Sequence, residues 1–339
     1  MTSISNYDGE IEAPTTSVNQ KNLVYNYDFT HFSNAVYGEN SIDYGTPDGW
    51  QYNDQGVNGS INFNDQDFEV VIQTSNTSSL MTFKQALNEF PRSESILSNQ
   101  TISASVYCNI TGGSVVIASL TNEINTSSKF HSTSSSADVV FELQLKTGQS
   151  LSELIIKLES SSNVAIIKIS KIYANIGQLA IPNLPCIVEG VIGETHQYLV
   201  TENAPANEIS ICQEAQELPA NMSSLDSVIN GRFGAGNTRS FLPDVPGYFM
   251  RAWDNGSGVD PNADERTALG SSNTGDKVGT LEEDQFKSHN HAIGFSTSTL
   301  LISGEQAPIP TISTISVNTG TRGGDQTRAK NIAELYTIK

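Results

Sequence analysis

Two histidines, His289 and His291, stand at i and i+2 in Ser288-His289-Asn290-His291. On an extended strand their imidazoles share one face. Two nitrogens from one chain fall short of a closed tetrahedral zinc site, and no nearby Cys or third His completes one. The plain alternative is a pair of exposed polar positions on a strand. His196 is isolated, which suits a surface or packing role. Cys108, Cys186 and Cys212 lie far apart with no CxxC pair, so neither a zinc ribbon nor a disulfide framework is encoded. The run Asp254-Asn255-Gly256-Ser257-Gly258-Val259-Asp260 lacks the alternating acids and distal glutamate of an EF-hand. It reads as a turn whose Asp and Asn side chains bond their own backbone, with Arg251 and Trp253 packing across it or between chains. There is no G-x-S-x-G elbow and no evident Ser/His/Asp grouping, and the acids are too scattered to mark a glycosidase pair. Tyr44, Trp50 and Tyr52 could form a sugar-stacking platform, because aromatic faces suit the apolar faces of pyranose rings. The competing reading puts Trp50 in a sandwich core.

The chain that must position these groups has 339 residues, with 18 Lys+Arg against 37 Asp+Glu and a formal net charge of −19. This surface repels phosphate, and no basic patch offsets it, so no nucleic-acid partner is expected. A bare anionic membrane is disfavoured for the same reason, and cell-surface adhesion would rely on neutral sugars, local geometry or bridging cations. Charged residues make up only 16% of the chain, and Ser, Thr, Asn and Gly are abundant, which favours a β-rich, extracellular type of surface. The first residues are polar and acidic, without a secretory pattern, and no apolar stretch is long enough to span a bilayer. Synthesis in a cytoplasm, with release from it as a further option, is the expectation.

Residues 1–20 carry no apolar period and read as a flexible attachment segment or a plain tail. From 21 to 176, short alternating segments separated by turn signals predict an all-β sandwich. Its strands are expected at Ile102–Tyr107, Ser114–Leu120, Val139–Leu145, Leu154–Leu158 and Ala165–Tyr173. In the last, period two places Ile167, Ile169 and Tyr173 on the apolar face and leaves Lys171 as an exception there. Residues 177–200, broken by Pro182 and Pro185, read as a linker leading to a strand. One short helix is expected after Ser223 or Ser224, with Leu225, Val228 and Ile229 on one face and Gly231 ending it. From Phe241 to His291 the chain is rich in glycine, includes three prolines and is almost without periodicity.

Asn22-Leu23-Val24-Tyr25-Asn26-Tyr27-Asp28-Phe29, followed by Pro47-Asp48-Gly49-Trp50, resembles the start of carbohydrate-binding jelly rolls, with Tyr27 where those have glycine. The second resemblance covers about residues 200 to 339. The short helix, then RFGAGNTRSFLPDVPGYFMRAWDNGSGVDP, then FKSHNH, resembles the tail-collar module of phage tail fibres and of fibres on tailocins and contractile injection particles. Gly323-Gly324-Asp325-Gln326-Thr327-Arg328-Ala329 through Tyr336 is similar to that family's terminal GG-E-TRP-N-A-Y pattern, with Ala329 where proline is common.

This resemblance implies a receptor-binding tail-fibre protein: an intertwined homotrimer with an N-terminal jelly-roll-like sandwich and a loop-rich C-terminal collar-like module over 201–291. It implies attachment to a baseplate or fibre-attachment protein through the N-terminus, and binding of a target-cell glycan or lipopolysaccharide without catalysis. A fibre-borne glycan depolymerase or esterase and a stand-alone lectin are the alternatives. Three copies of His289 and His291 around an axis would supply six imidazoles, a set that suits an octahedral transition metal, iron or zinc. The segment 292–318 would form the distal tip, with Phe295, Ser298, Leu300, Leu301, Glu305, Gln306, Ile309 and Thr311 as candidate receptor contacts, and 319–339 the return strand.

Overall fold

The computed structural model describes residues 21–37, 41–54, 59–73, 80–112, 115–132, 135–161, 165–283 and 333–339. His289, His291 and the expected tip lie outside these residues. The described residues are nearly all-β, with antiparallel sheets, 39% strand and 6% helix.

The sandwich begins with a small hairpin of β1 (Val36–Tyr37) and β2 (Ile42–Asp43). The strands that follow are β3 (Gln51–Asn53), β4 (Ser60–Asn64), β5 (Glu69–Gln73), β6 (Leu80–Ala86), β7 (Thr101–Thr111) and β8 (Val115–Asn122). A short helix, α1 (Ser93–Leu97), lies between β6 and β7. Then come β9 (Thr126–Ser132), β10 (Ala137–Lys146), β11 (Leu154–Ser161) and β12 (Ile166–Ile176). One sheet has the order β10-β7-β12-β5-β4 and the other β3-β6-β11-β8-β9. From β5 onward the chain repeatedly crosses between sheets, to β6, back to β7, then β8 and β9, β10, β11 and β12. Two antiparallel sheets joined in this way are consistent with the β-sandwich expected for this region.

Alternation explains the core. Ile102, Ala104, Val106, Cys108 and Ile110 of β7 point in, against Phe141, Leu143 and Leu145 of β10 and Ile156 and Leu158 of the facing sheet. Burial pushes the Cys108 thiol up to about 12, so it behaves as a small apolar side chain. Trp50 is fully enclosed and lies parallel to Phe83 at 4.5 Å between ring centroids.

The strict period-two reading of β12 fails at one point. A β-bulge between Ile169 and Lys171 shifts the register, so Lys171 sits opposite Tyr107 and Tyr173 opposite Ser105. Lys171 is exposed on the outer face, and Ile172, Ala174 and Ile176 turn into the core. The expected exception thus disappears, and Tyr173 leaves the core face to which alternation assigned it.

The C-terminal unit has its own core of Tyr25, Ile192, Ile211, Leu218, Leu225, Val228, Ile229, Leu242, Val245 and Ile338. Its three-stranded sheet places β17 (Leu335–Ile338) between β13 (Thr195–Tyr198) and β14 (Ile209–Ser210). A second pair joins β15 (Thr267–Ala268) to β16 (Thr280–Leu281). The helix, α2, spans Ser223–Ile229 and buries Leu225, Val228 and Ile229 as the sequence predicts. Its cap differs from expectation: no serine caps it. The Glu89 carboxylate of the sandwich accepts from Ser223 N at 2.7 Å and Ser224 N at 2.8 Å. At the other end, the Asn34 amide donates to the carbonyls of Ser227 and Val228 at 2.9 and 3.2 Å. Both orphan ends of α2 are therefore satisfied from the sandwich.

The strap 22–29 joins the two cores. Leu23, Val24 and Phe29 pack in the sandwich, whereas Tyr25 packs in the second core, where its hydroxyl accepts from Ile192 N at 3.1 Å. Burial pushes the Tyr25 phenol up to about 12. Buried side chains fix the strap: Gln85 exchanges hydrogen bonds with both backbone groups of Tyr25, and Asn26 donates to the carbonyls of His31 and Asp48. Among the described residues no helix is long and apolar enough to cross a membrane.

Candidate functional site

The expected aromatic platform does not assemble. Trp50 is 0% exposed, with Phe83 over one ring face and Phe29 tilted against it at 5.8 Å, so it presents no face to a sugar. Its indole NH donates to the Asn26 carbonyl at 3.4 Å, completing its core role. Tyr44 is half-buried and turned edge-on to Phe32 and Phe63, each at 5.2 Å. Tyr52 lies along a groove between the sandwich and the C-terminal unit, its phenol pushed up to about 12 by burial and by Asp54.

A different aromatic and polar surface forms on the outer face of the sheet β10-β7-β12-β5-β4. Cross-strand register sets its rows: Val140, Tyr107 and Lys171 in one, and Asp138, Asn109, Lys168 and Val71 in the next. On the other side of the first row come Glu142, Ser105 and Tyr173. Tyr107 is half-buried and stands edge-on to Tyr173 at 5.9 Å, and Tyr27 covers Tyr173 at 5.4 Å. The Tyr173 hydroxyl donates to Asn183 Oδ1 at 3.2 Å, which locks the inner ring of this cluster. Asn109 donates to Asp138 Oδ1 at 2.7 Å, which fixes its amide. Tyr107 is thus flanked in register by Lys171 and, in the neighbouring rows, by Glu142 and the Asn109–Asp138 pair, so aromatic, charged and amide groups share one face.

Tyr107 and Tyr173 read in the sequence only as strand residues. The signal for them was Lys171, whose misfit on an apolar face is what a bulge resolves.

In the C-terminal unit, Asp254 organises the irregular loop as predicted. Its carboxylate accepts from Val259 N, Gly258 N and Asp260 N at 2.7 to 2.9 Å and from the Ser257 hydroxyl at 2.8 Å. Those bonds, the one from Asp260 foremost, hold its carboxyl down to about 2. Arg251 and Arg266 both pair with Asp260 and Glu282 at 3.0 to 3.3 Å, and Trp253 Nε1 donates to the Asp276 carbonyl, so both predicted flanking residues pack across the loop. His196 bonds Glu208 at 2.8 Å in a structural cluster with Tyr198 and Thr337. Burial alone would raise the Glu208 carboxyl, but the hydrogen bonds from Thr337, His196 and Tyr198 hold it below its ordinary value. Among the described residues no group of three His, Cys, Asp or Glu is placed to hold a metal ion.

No family model matches the chain. Protein RhiB of Rhizobium leguminosarum bv. viciae is 29% identical over 164 residues, which is 46% of this chain and 75% of RhiB. Similar solved structures include the enzymatically active domain of bacteriophage CBA120 tailspike protein 4, at 13% identity and TM-score 0.33, covering 46% of this chain and 21% of that one. TmCBM61 in complex with β-1,4-galactotriose matches at 10% identity and TM-score 0.33, over 46% of this chain and 99% of that one. The CBM22-1 xylan-binding domain of Paenibacillus barcinonensis Xyn10C matches at 14% identity and TM-score 0.30, over 48% of this chain and 97% of that one. Likenesses this remote assign no function.

Proposed function

We propose that this chain is a fibre protein that attaches a phage or phage-tail-like contractile particle to a target cell by binding surface glycan, without chemistry of its own. The observation that carries the glycan reading is the outer sheet face around Tyr107, where a ring, a cation, a carboxylate and a fixed amide lie side by side on a rigid sheet. A surface of that make-up suits sugars, and its rigidity limits the ordering cost of binding. The attachment reading rests on the sequence resemblance over about 200 to 339.

The homotrimer is supported by the collar-like unit, which leaves Tyr248, Phe249, Met250 and Trp253 between 44% and 67% exposed in one short stretch. Side chains of this size so exposed in a single copy mark a contact surface. Three copies would cover them and multiply weak glycan sites by effective concentration. In that assembly His289 and His291 would meet their symmetry mates around a transition metal, 292–318 would carry the choice of target cell, and 1–20 would dock on the particle.

Light scattering on the purified chain and a glycan array test the two halves of the proposal. A trimeric mass and selective binding to surface oligosaccharides are expected. A monomer at micromolar concentration overturns the trimer and the metal with it, and release of shortened or deacetylated polysaccharide would favour the enzyme instead.

A further inference from the structure

The groove between the two units has a chemistry distinct from the sheet face. It encloses about 820 Å³ between β3 and β6 on one side and the C-terminal end of α2 with the loop 235–240 on the other. A second hollow of about 440 Å³ continues from it and shares Gln51, Lys84, Asp226, Thr238 and Arg239. Lys84 projects from β6 on the outer face of its sheet, opposite Lys157 and Gln51 in register. Arg239 projects from the facing loop.

Among the described residues neither cation forms a salt bridge, and Arg239 feels the Glu217 carboxylate only through longer-range attraction. This is unexpected in a chain with 37 acidic and 18 basic residues. Of the acids around the loop, Glu217 and Asp226 hold backbone, and Glu153 lines the second hollow with both cations. Glu217 accepts from Thr238 N at 3.0 Å and Arg239 N at 2.9 Å, which fixes the loop, and its charge reaches the Arg239 guanidinium without a direct salt bridge. Asp226 is the one carboxylate among the described residues lining the larger hollow, and its Oδ1 accepts from Ser240 N at 2.8 Å. Beyond the cations the walls mix apolar surface with amides and hydroxyls, among them Gln51, Asn53, Thr82 and Thr238.

Two cations outside any salt bridge, one from β6 and one from the facing loop, suit an anionic group carried on a ligand with both hydroxyls and apolar faces. We infer that this groove is a second saccharide site, selective for a sugar bearing a carboxylate, with Lys84 and Arg239 as its anion contacts. The inference rests on the glycan-binding reading above and adds to it the ligand's charge. Arg supplies a planar fork for the carboxylate and Lys a point charge, and a charge-assisted bond of each kind sets about a tenfold effect on affinity.

The test uses the full chain, with calorimetric titration of oligogalacturonate, oligomannuronate and hyaluronan oligosaccharides and of their neutral methyl esters. At least one acid form is expected to bind, at least about tenfold tighter than its ester. Lys84→Gln and Arg239→Gln should each weaken that binding about tenfold while leaving neutral glycan binding at the Tyr107 face intact, which also shows that the variants are folded. Acid binding that the double variant leaves unchanged overturns the groove assignment, as does binding of neutral oligosaccharides alone, and in both cases the glycan reading stands. If neither this panel nor a broad neutral array yields a ligand, the glycan reading falls and the groove site with it.

Discussion

In the sandwich, the backbone of β7 is paired on both sides, by β10 from Thr101 to Ile110 and by β12 from Ile102 to Thr111. In the C-terminal unit the stretch from Tyr248 to Asp276 has one short 3-10 turn at Ala263–Glu265 and the two-residue β15, and side chains do the work that strands do elsewhere. One carboxylate, Asp254, takes three backbone N–H groups, and a pair of arginines ties Asp260 to Glu282. The difference is one of redundancy. A ladder spreads its hydrogen bonds over many residues, whereas a side-chain staple concentrates them in a few, so single substitutions should act differently in the two regions.

The largest effect is expected from the sandwich core. Trp50→Ala removes an enclosed indole and its stack on Phe83, and should lower stability by about 3–5 kcal/mol in chemical denaturation. An effect within about 0.5 kcal/mol, typical of a surface site, would restore Trp50 to the sugar platform.

A smaller and more local effect is expected at the junction. Glu89→Ala leaves two N–H groups at the start of α2 without their carboxylate and should cost about 1–2 kcal/mol. Hydrogen exchange should show protection lost over 223–231 while β7 and β12 keep theirs. Uniform loss across both regions would mean that the units do not fold as separable cores.

The smallest effect concerns pH. The Asp254 carboxyl is depressed from 3.8 to about 2, so its contribution to loop order is present above the unfolded value and is lost as pH falls through the folded one. Loop protection at 257–260 should therefore fall progressively between about pH 4 and pH 2, and Asp254→Asn should abolish that dependence. A loop whose protection is flat across this range in the native chain would show that the carboxylate does not hold it.

The same contrast explains what could be read from the residues alone. Period two marked β7, β8, β10 and β11, because a half-buried strand writes its two faces directly into the sequence. It misassigned Tyr173, since a bulge adds a residue without any compositional mark beyond a misplaced Lys171. Leu225, Val228 and Ile229 announced α2, but its cap came from Glu89, 134 residues earlier, and no local pattern encodes so distant a partner. Trp50 illustrates the ambiguity of aromatics: a ring suited to stacking on sugar is equally suited to stacking on Phe83. The Asp254 turn was legible because all of its bonds are local. The groove was not, because β6 and the 235–240 loop meet only when the two cores dock.

The central claim is that the outer sheet face around Tyr107 binds glycan, and titration of an array-identified neutral oligosaccharide into the native chain and into Tyr107→Ala tests it most directly. Loss of one stacking ring should weaken binding about tenfold while cooperative unfolding is retained. Equal affinity in Tyr107→Ala, carried through to a Tyr107→Ala, Lys171→Ala double variant, would contradict the account.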